Sequence, residues 1–181
     1  MKTLIWVSSL CTSLGIPIVV FLPVFAKQVF HGNETTYTVL LTVEAAGAIA
    51  GALFVAARGK RAHLGRDTVL SLTALGVFMA AFALSPSLPV ALIFLFFGGF
   101  SLISCFSMLS SLVQFVATDE MRGRVMSIYN IAFRGGMPIG SLIVGELVAR
   151  HSAPMVVAVN GALLVALGLY LMLVHREVSG L

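Results

Sequence analysis

Uncharged stretches long enough to cross a bilayer alternate with short polar interruptions along the whole chain. Residues 3–26 carry no ionised side chain, which exceeds the roughly 20 residues needed to span a hydrocarbon core. A secretory signal peptide could also begin with Lys2 and end near Val24-Phe25-Ala26. The run is longer than the roughly 15 residues of a signal core, so it reads as the first span. Residues 35–57 form the second, interrupted only by Glu44, and stop at the basic segment from Arg58 to Arg66. Residues 68–118 again lack charge and are too long for one crossing. Ser85-Pro86-Ser87-Leu88-Pro89 supplies the turn that divides them into spans three and four. Residues 125–148 and 154–174 complete the pattern, separated by Arg150-His151-Ser152. The expectation is an all-α integral membrane protein of six transmembrane helices.

Composition agrees. Of the 181 residues 59% are apolar and 10% are charged, proportions that exclude an ordinary water-soluble domain. A net charge of +4 would suggest weak attraction to nucleic acid or anionic lipid, but its placement makes it an orientation signal. With the amino terminus in the cytoplasm, one side gathers Lys2, Arg58, Lys60, Arg61, Arg66, Arg122, Arg124 and Arg176, and the other receives Lys27 and Arg150. The positive-inside rule selects that orientation. Both termini are therefore expected in the cytoplasm of a cell inner or plasma membrane, with the lipid bilayer as the principal partner and no nucleic acid. The connections are too short for a soluble head. Residues 1–181 read as one bundle with a short cytoplasmic tail at 175–181. Cys11 and Cys105 lie in separate apolar runs and read as small packing residues.

Three ionisable residues fall inside spans, each at a cost of about 3 kcal/mol at a helix centre. Glu146 precedes Arg150 by one helical turn, the favourable order for an ion pair. Glu44 and Arg134 lie deeper, each roughly 14 Å into its span from opposite faces. Glu44 shares a helix face with Gly47, Ala48 and Gly51, small residues that let another helix approach. Ser127, Asn130, Arg134, Ser141 and Gly145 draw one polar stripe along span five, and Pro138 withholds an amide from the carbonyl of Arg134, which predicts a bend there. Two readings stay open: a coupling or substrate site, or a structural ion pair between Glu44 and Arg134.

Serine is concentrated in spans one and four, with Ser8, Ser9, Thr12 and Ser13 in the first and Ser101, Ser104, Ser107, Ser111 and Gln114 in the fourth. These spans are expected to line a cavity, with Ser8, Thr12, Ser104, Ser107, Ser111 and Asn130 as candidate substrate contacts. Spans three and six are expected to face lipid. The chain divides into two three-span halves, 2–84 and 89–174, whose corresponding helices run in opposite directions, the organisation of an inverted repeat. An intramembrane enzyme is disfavoured: His31, His63, His151 and His175 lie in loops or at span ends, and no nucleophile has a base nearby. No metal or cofactor site is expected.

The run Asp119-Glu120-Met121-Arg122-Gly123-Arg124-Val125-Met126-Ser127-Ile128-Tyr129, followed by Gly135-Gly136-Met137-Pro138-Ile139-Gly140-Ser141, resembles the major facilitator superfamily, nearest its enterobactin-exporter and macrolide-efflux branch. There an acidic pair, Arg-Gly-Arg-Val and a Gly-Pro-rich run join the tenth and eleventh helices. Leu22-Pro23 looks like the end of the family's seventh helix, and the segment from Gly47 to Arg66 like its eighth helix and cytoplasmic loop. The resemblance implies that the whole chain corresponds to the carboxyl-terminal half of a major facilitator fold. It also implies that spans one and four line the central cavity, and that spans two and five flank a second six-helix half. Thr118 stands where the family has proline, and the loop after span two lacks the aspartate of the full signature. The family's coupling acids belong mainly to the other half, so the resemblance assigns proton coupling to no residue here. The implied activity is efflux of a small amphipathic solute by alternating access with a second half. The alternative is a truncated or partnerless membrane fragment or scaffold without transport activity.

Overall fold

Proline divides the first span. Pro17 and Pro23 lack the amide that would continue an α-helix, and the chain restarts at each as Lys2–Gly15, Pro17–Val20 and Leu22–Val24 before a π-helical turn, Phe25–Val29. The Phe30 amide donates to the Phe25 carbonyl at 3.0 Å and that of Gly32 to Ala26 at 2.8 Å, closing the turn ahead of His31, whose φ is 48°. The computed structural model describes residues 2–58, 64–118 and 120–174, with side chains from Trp6 to Leu173. The second to sixth spans are Glu34–Arg58, Leu64–Ala83, Leu88–Val116, Arg122–Arg150 and Ala153–Val174. No strand occurs among the described residues.

Among the described residues six helices are long and apolar enough to cross a membrane, as the uncharged stretches predicted. Most ends lie a few residues beyond the uncharged runs, because Arg58, Arg66, Asp67, Arg122, Arg124 and Arg150 sit in terminal turns where their heads can reach the interface. Of the expected basic loop, Arg58 and Leu64 to Arg66 are helical. Lys60, Arg61 and His63, like the tail from His175, lie outside the described residues.

Packing between helices cannot draw on the hydrophobic effect inside lipid and depends on close backbone approach. Three seams provide it. Span two lies on span four, where a methyl group added to Gly47 would strike the Phe96 carbonyl and one added to Gly99 would strike that of Glu44. Span five lies on span one, with Gly136 against Thr12 and Ser9 and Gly140 against Ser13. Spans three and six meet backbone to backbone at Gly76 and Gly161. Exchanging the two halves carries the second-fourth seam onto the fifth-first seam and the third-sixth seam onto itself. Span three also packs on span four, and Leu72, Leu75, Met79, Phe82, Leu95 and Leu109 fill the interior. Phe25 at the end of span one packs its ring against Phe82, centroids 4.7 Å apart and planes tilted by 41°.

Candidate functional site

Span five presents two unlike faces. Val125, Tyr129, Gly136, Gly140 and Val144 are buried, whereas Ser127, Asn130 and Arg134 are exposed and Ser141 and Gly145 are half-buried on the other side. The polar stripe is therefore the open face of the helix. Arg134 follows Arg122 by roughly 18 Å of helix, which puts its guanidinium near mid-membrane. The helix continues through Pro138 without interruption, and proline leaves the Arg134 carbonyl without its usual amide donor. An uncompensated arginine at that depth in hydrocarbon is strongly disfavoured, so this face requires water or protein against it.

Glu44 lies on the other flank, only 8% exposed. Its backbone carbonyl lies against Gly99 of span four, on the small-residue face that Gly47 and Gly51 extend. Spans two and five pack on different helices, and no ion pair joins Glu44 to Arg134 among the described residues. The structural ion pair that the sequence left open is therefore not formed among the described residues.

The serines separate into two groups. Ser8, Thr12 and Ser104 are fully buried in seams between helices. Thr12 donates to the carbonyls of Ser8 at 3.0 Å and Ser9 at 2.9 Å, and Ser104 reaches the Gly51 carbonyl at 3.4 Å. Ser107 is half-buried, and Ser111 is exposed and bonds back to the Ser107 carbonyl at 2.9 Å. Gln114, also exposed, donates to Ser110 at 3.3 Å. Of the candidate substrate contacts, only Ser111 and Asn130 stand on the open surface, with Ser107 partly so.

At the helix ends, Arg58 donates to Asp67 at 2.6 Å and lies 4.8 Å from the centre of the Phe54 ring, tying span two to span three beside the basic loop. Arg150 and Glu146 pair at 2.7 Å, as their spacing predicted. Of the expected loop motif, Arg122, Gly123 and Arg124 instead form the first turn of span five, where their charges can still reach the interface; they and Glu120 are exposed, and Asp119 lies outside the described residues.

Three features were not legible in the sequence. Ser13 donates to the Gly136 carbonyl at 3.0 Å, bridging spans one and five. Pro23, Lys27, Asn33, Glu34 and Tyr37 border a cleft of about 560 Å³ at the end of span one, formed by a π-turn that no local pattern announces. Cys11 and Cys105 face each other across spans one and four, sulfur to sulfur at 3.8 Å.

The family described as transmembrane secretion effector, a branch of the major facilitator superfamily, matches residues 3–178. No curated protein matches the chain.

Proposed function

The chain belongs to the transmembrane secretion effector family of the major facilitator superfamily, and from that premise we propose that it forms one six-helix half of an exporter of small amphipathic solutes. The observation that carries this reading is Arg134, exposed midway along a span whose open face also bears Asn130 and Ser127. A surface with a cation at that depth is stable only against a polar cavity or a second protein body. A transporter with its solute pathway between two halves supplies both.

In this reading the second half, on the same polypeptide or another, covers spans two and five. Solute passes along Ser107, Ser111, Asn130 and Arg134, while Ser8, Thr12 and Ser104 hold the cavity helices in register. Residues 2–84 and 89–174 act as inverted repeats, supported by the seams that exchange when the halves are swapped. Alternating access is then a rocking of this bundle against its partner around the midplane site. Arg134 attracts the anionic or electron-rich part of the solute, and Glu44, in its close-packed setting, is the candidate for sensing the movement or the coupling ion. Arg58 at the end of span two and Arg66, Arg122 and Arg124 at the starts of spans three and five support a cytoplasmic location for both termini.

The test is efflux. Cells producing the chain with a six-helix partner half are loaded with amphipathic fluorescent solutes, and retention is followed against cells producing the partner alone. Lower retention that Arg134→Ala restores by tenfold or so in rate, an effect of about 1.4 kcal/mol, supports the reading. Equal retention for every solute, unchanged by Arg134→Ala, refutes it.

A further inference from the structure

Cys11 and Cys105 are separated by 94 residues, yet their sulfur atoms lie 3.8 Å apart. They belong to different spans, are 0% and 1% exposed, and are both free thiols. A disulfide needs about 2.05 Å between sulfurs, with the two β-carbons roughly 3.5–4.5 Å apart. Small rotations about the Cα–Cβ bonds can supply the remaining approach, and the packed helices hold both residues on facing surfaces.

We propose that Cys11 and Cys105 form a redox-active dithiol, a covalent modification site within the membrane that closes to a disulfide between spans one and four. The co-reactant is a lipid-soluble two-electron oxidant, since an apolar site between helices excludes charged reagents. With an azodicarboxamide such as diamide, the first thiol adds across the N=N bond: its S–H bond breaks, an S–N bond forms, and the proton goes to the second nitrogen. The other thiol then attacks that sulfur, the S–N bond breaks as the S–S bond forms, and its proton goes to the departing nitrogen. The products are one disulfide and one hydrazine, so two protons and two electrons pass from the sulfurs to the oxidant.

Charge balance favours this chemistry over capture of a soft monovalent metal ion. Two thiolates around such an ion leave a net negative charge in a low-dielectric site, whereas a disulfide is neutral and needs no counter-ion. The bond also has a mechanical consequence. It joins the first span to the fourth, so the oxidised chain cannot separate those helices without breaking a covalent link, and the reduced chain can.

The experiment treats the chain, purified from membranes in mild detergent, with diamide and then alkylates it under denaturing conditions for intact-mass measurement. The expected result is loss of about 2 Da, no alkylated thiol, and full recovery of two alkylations after dithiothreitol. Closure should be at least tenfold faster in the folded chain than in chain first unfolded in sodium dodecyl sulfate, because packing raises the effective concentration of one thiol at the other. The oxidised chain should unfold at a higher temperature than the reduced chain. Cys11→Ser and Cys105→Ala should each keep one alkylatable thiol, and the wild-type mass and rate stand without them if either variant fails to fold. Two surviving thiols, disulfides between separate chains, sulfur oxygenation in place of the 2 Da loss, or equal rates in folded and unfolded chain would overturn the proposal.

Discussion

Ser13 donates its hydroxyl hydrogen to the carbonyl of Gly136 at 3.0 Å, joining the first span to the fifth. The bond is made where Gly136 and Gly140 bring the helix backbones together, two residues before Pro138 and two after Arg134. The residue presenting the mid-membrane cation is therefore positioned by backbone contact on the opposite face of its own helix.

The glycine contacts should outweigh the hydroxyl. A hydrogen bond between membrane helices contributes about 0.6 kcal/mol on average, so Ser13→Ala should lower unfolding free energy in detergent by about 1 kcal/mol or less. Gly136→Leu must push Thr12 or the Ser9 carbonyl aside, and overpacking of this kind costs about 1–3 kcal/mol. Equilibrium unfolding followed by Trp6 fluorescence measures both. Equal losses from the two substitutions would mean that the seam is polar in origin.

Glu44 and Arg134 should behave as independent sites. They pack on different helices and form no ion pair with each other among the described residues. In a double-mutant cycle, Glu44→Gln and Arg134→Gln should add to within about 0.5 kcal/mol in unfolding free energy. A coupling of about 1 kcal/mol or more would restore the ion-pair reading. Any effect of either substitution on solute movement is then a separate loss and not the breaking of a shared structural bond.

The spans were readable because hydrocarbon thickness imposes a length that no other constraint on the chain imitates. Depth is an expectation of the same kind: position along a helix gives distance from the surface, and counting sets Glu44 and Arg134 near the midplane. Rotation about the helix axis was harder. On span five, Ser127, Asn130 and Arg134 recur at three-and-four spacing against apolar surroundings, so the open face showed in the sequence. On spans one and four, Ser8, Thr12 and Ser104 turned into helix seams while Ser111 turned outward, because serine serves close packing as well as solvent. Partner choice was not readable at all. Phe96 and Phe100 meet Gly47 and Gly51 across the second-fourth seam, and nothing local to either segment names the other.

The Arg58–Asp67 pair should contribute little to stability. Its side chains are 37% and 26% exposed, and partly exposed pairs contribute about 0.2–1 kcal/mol. Asp67→Asn should therefore lower unfolding free energy by less than about 1 kcal/mol, and less again in 1 M salt, where the Debye length falls to about 3 Å. Arg58→Ala should cost more than Asp67→Asn because it also removes the contact with Phe54. The difference can be read by repeating both substitutions in a Phe54→Leu background, where the excess should shrink.

Membrane orientation gives the broadest test, because it depends on charge placement alone and on no side-chain contact. Arg66 and Arg124 are exposed near the starts of spans three and five, and Lys27 and Arg150 are exposed near the ends of spans one and five. Single cysteines placed at these four positions in a Cys11→Ala, Cys105→Ala background can be labelled in intact cells with a membrane-impermeant maleimide. Cysteine at 27 and at 150 should react from outside, and cysteine at 66 and at 124 should react only after the membrane is opened. The opposite pattern would invert the bundle and with it the assignment of the cytoplasmic loops. A split between positions 66 and 124 would be more damaging, since both follow an even number of crossings and must share a side if each apolar helix spans the bilayer once.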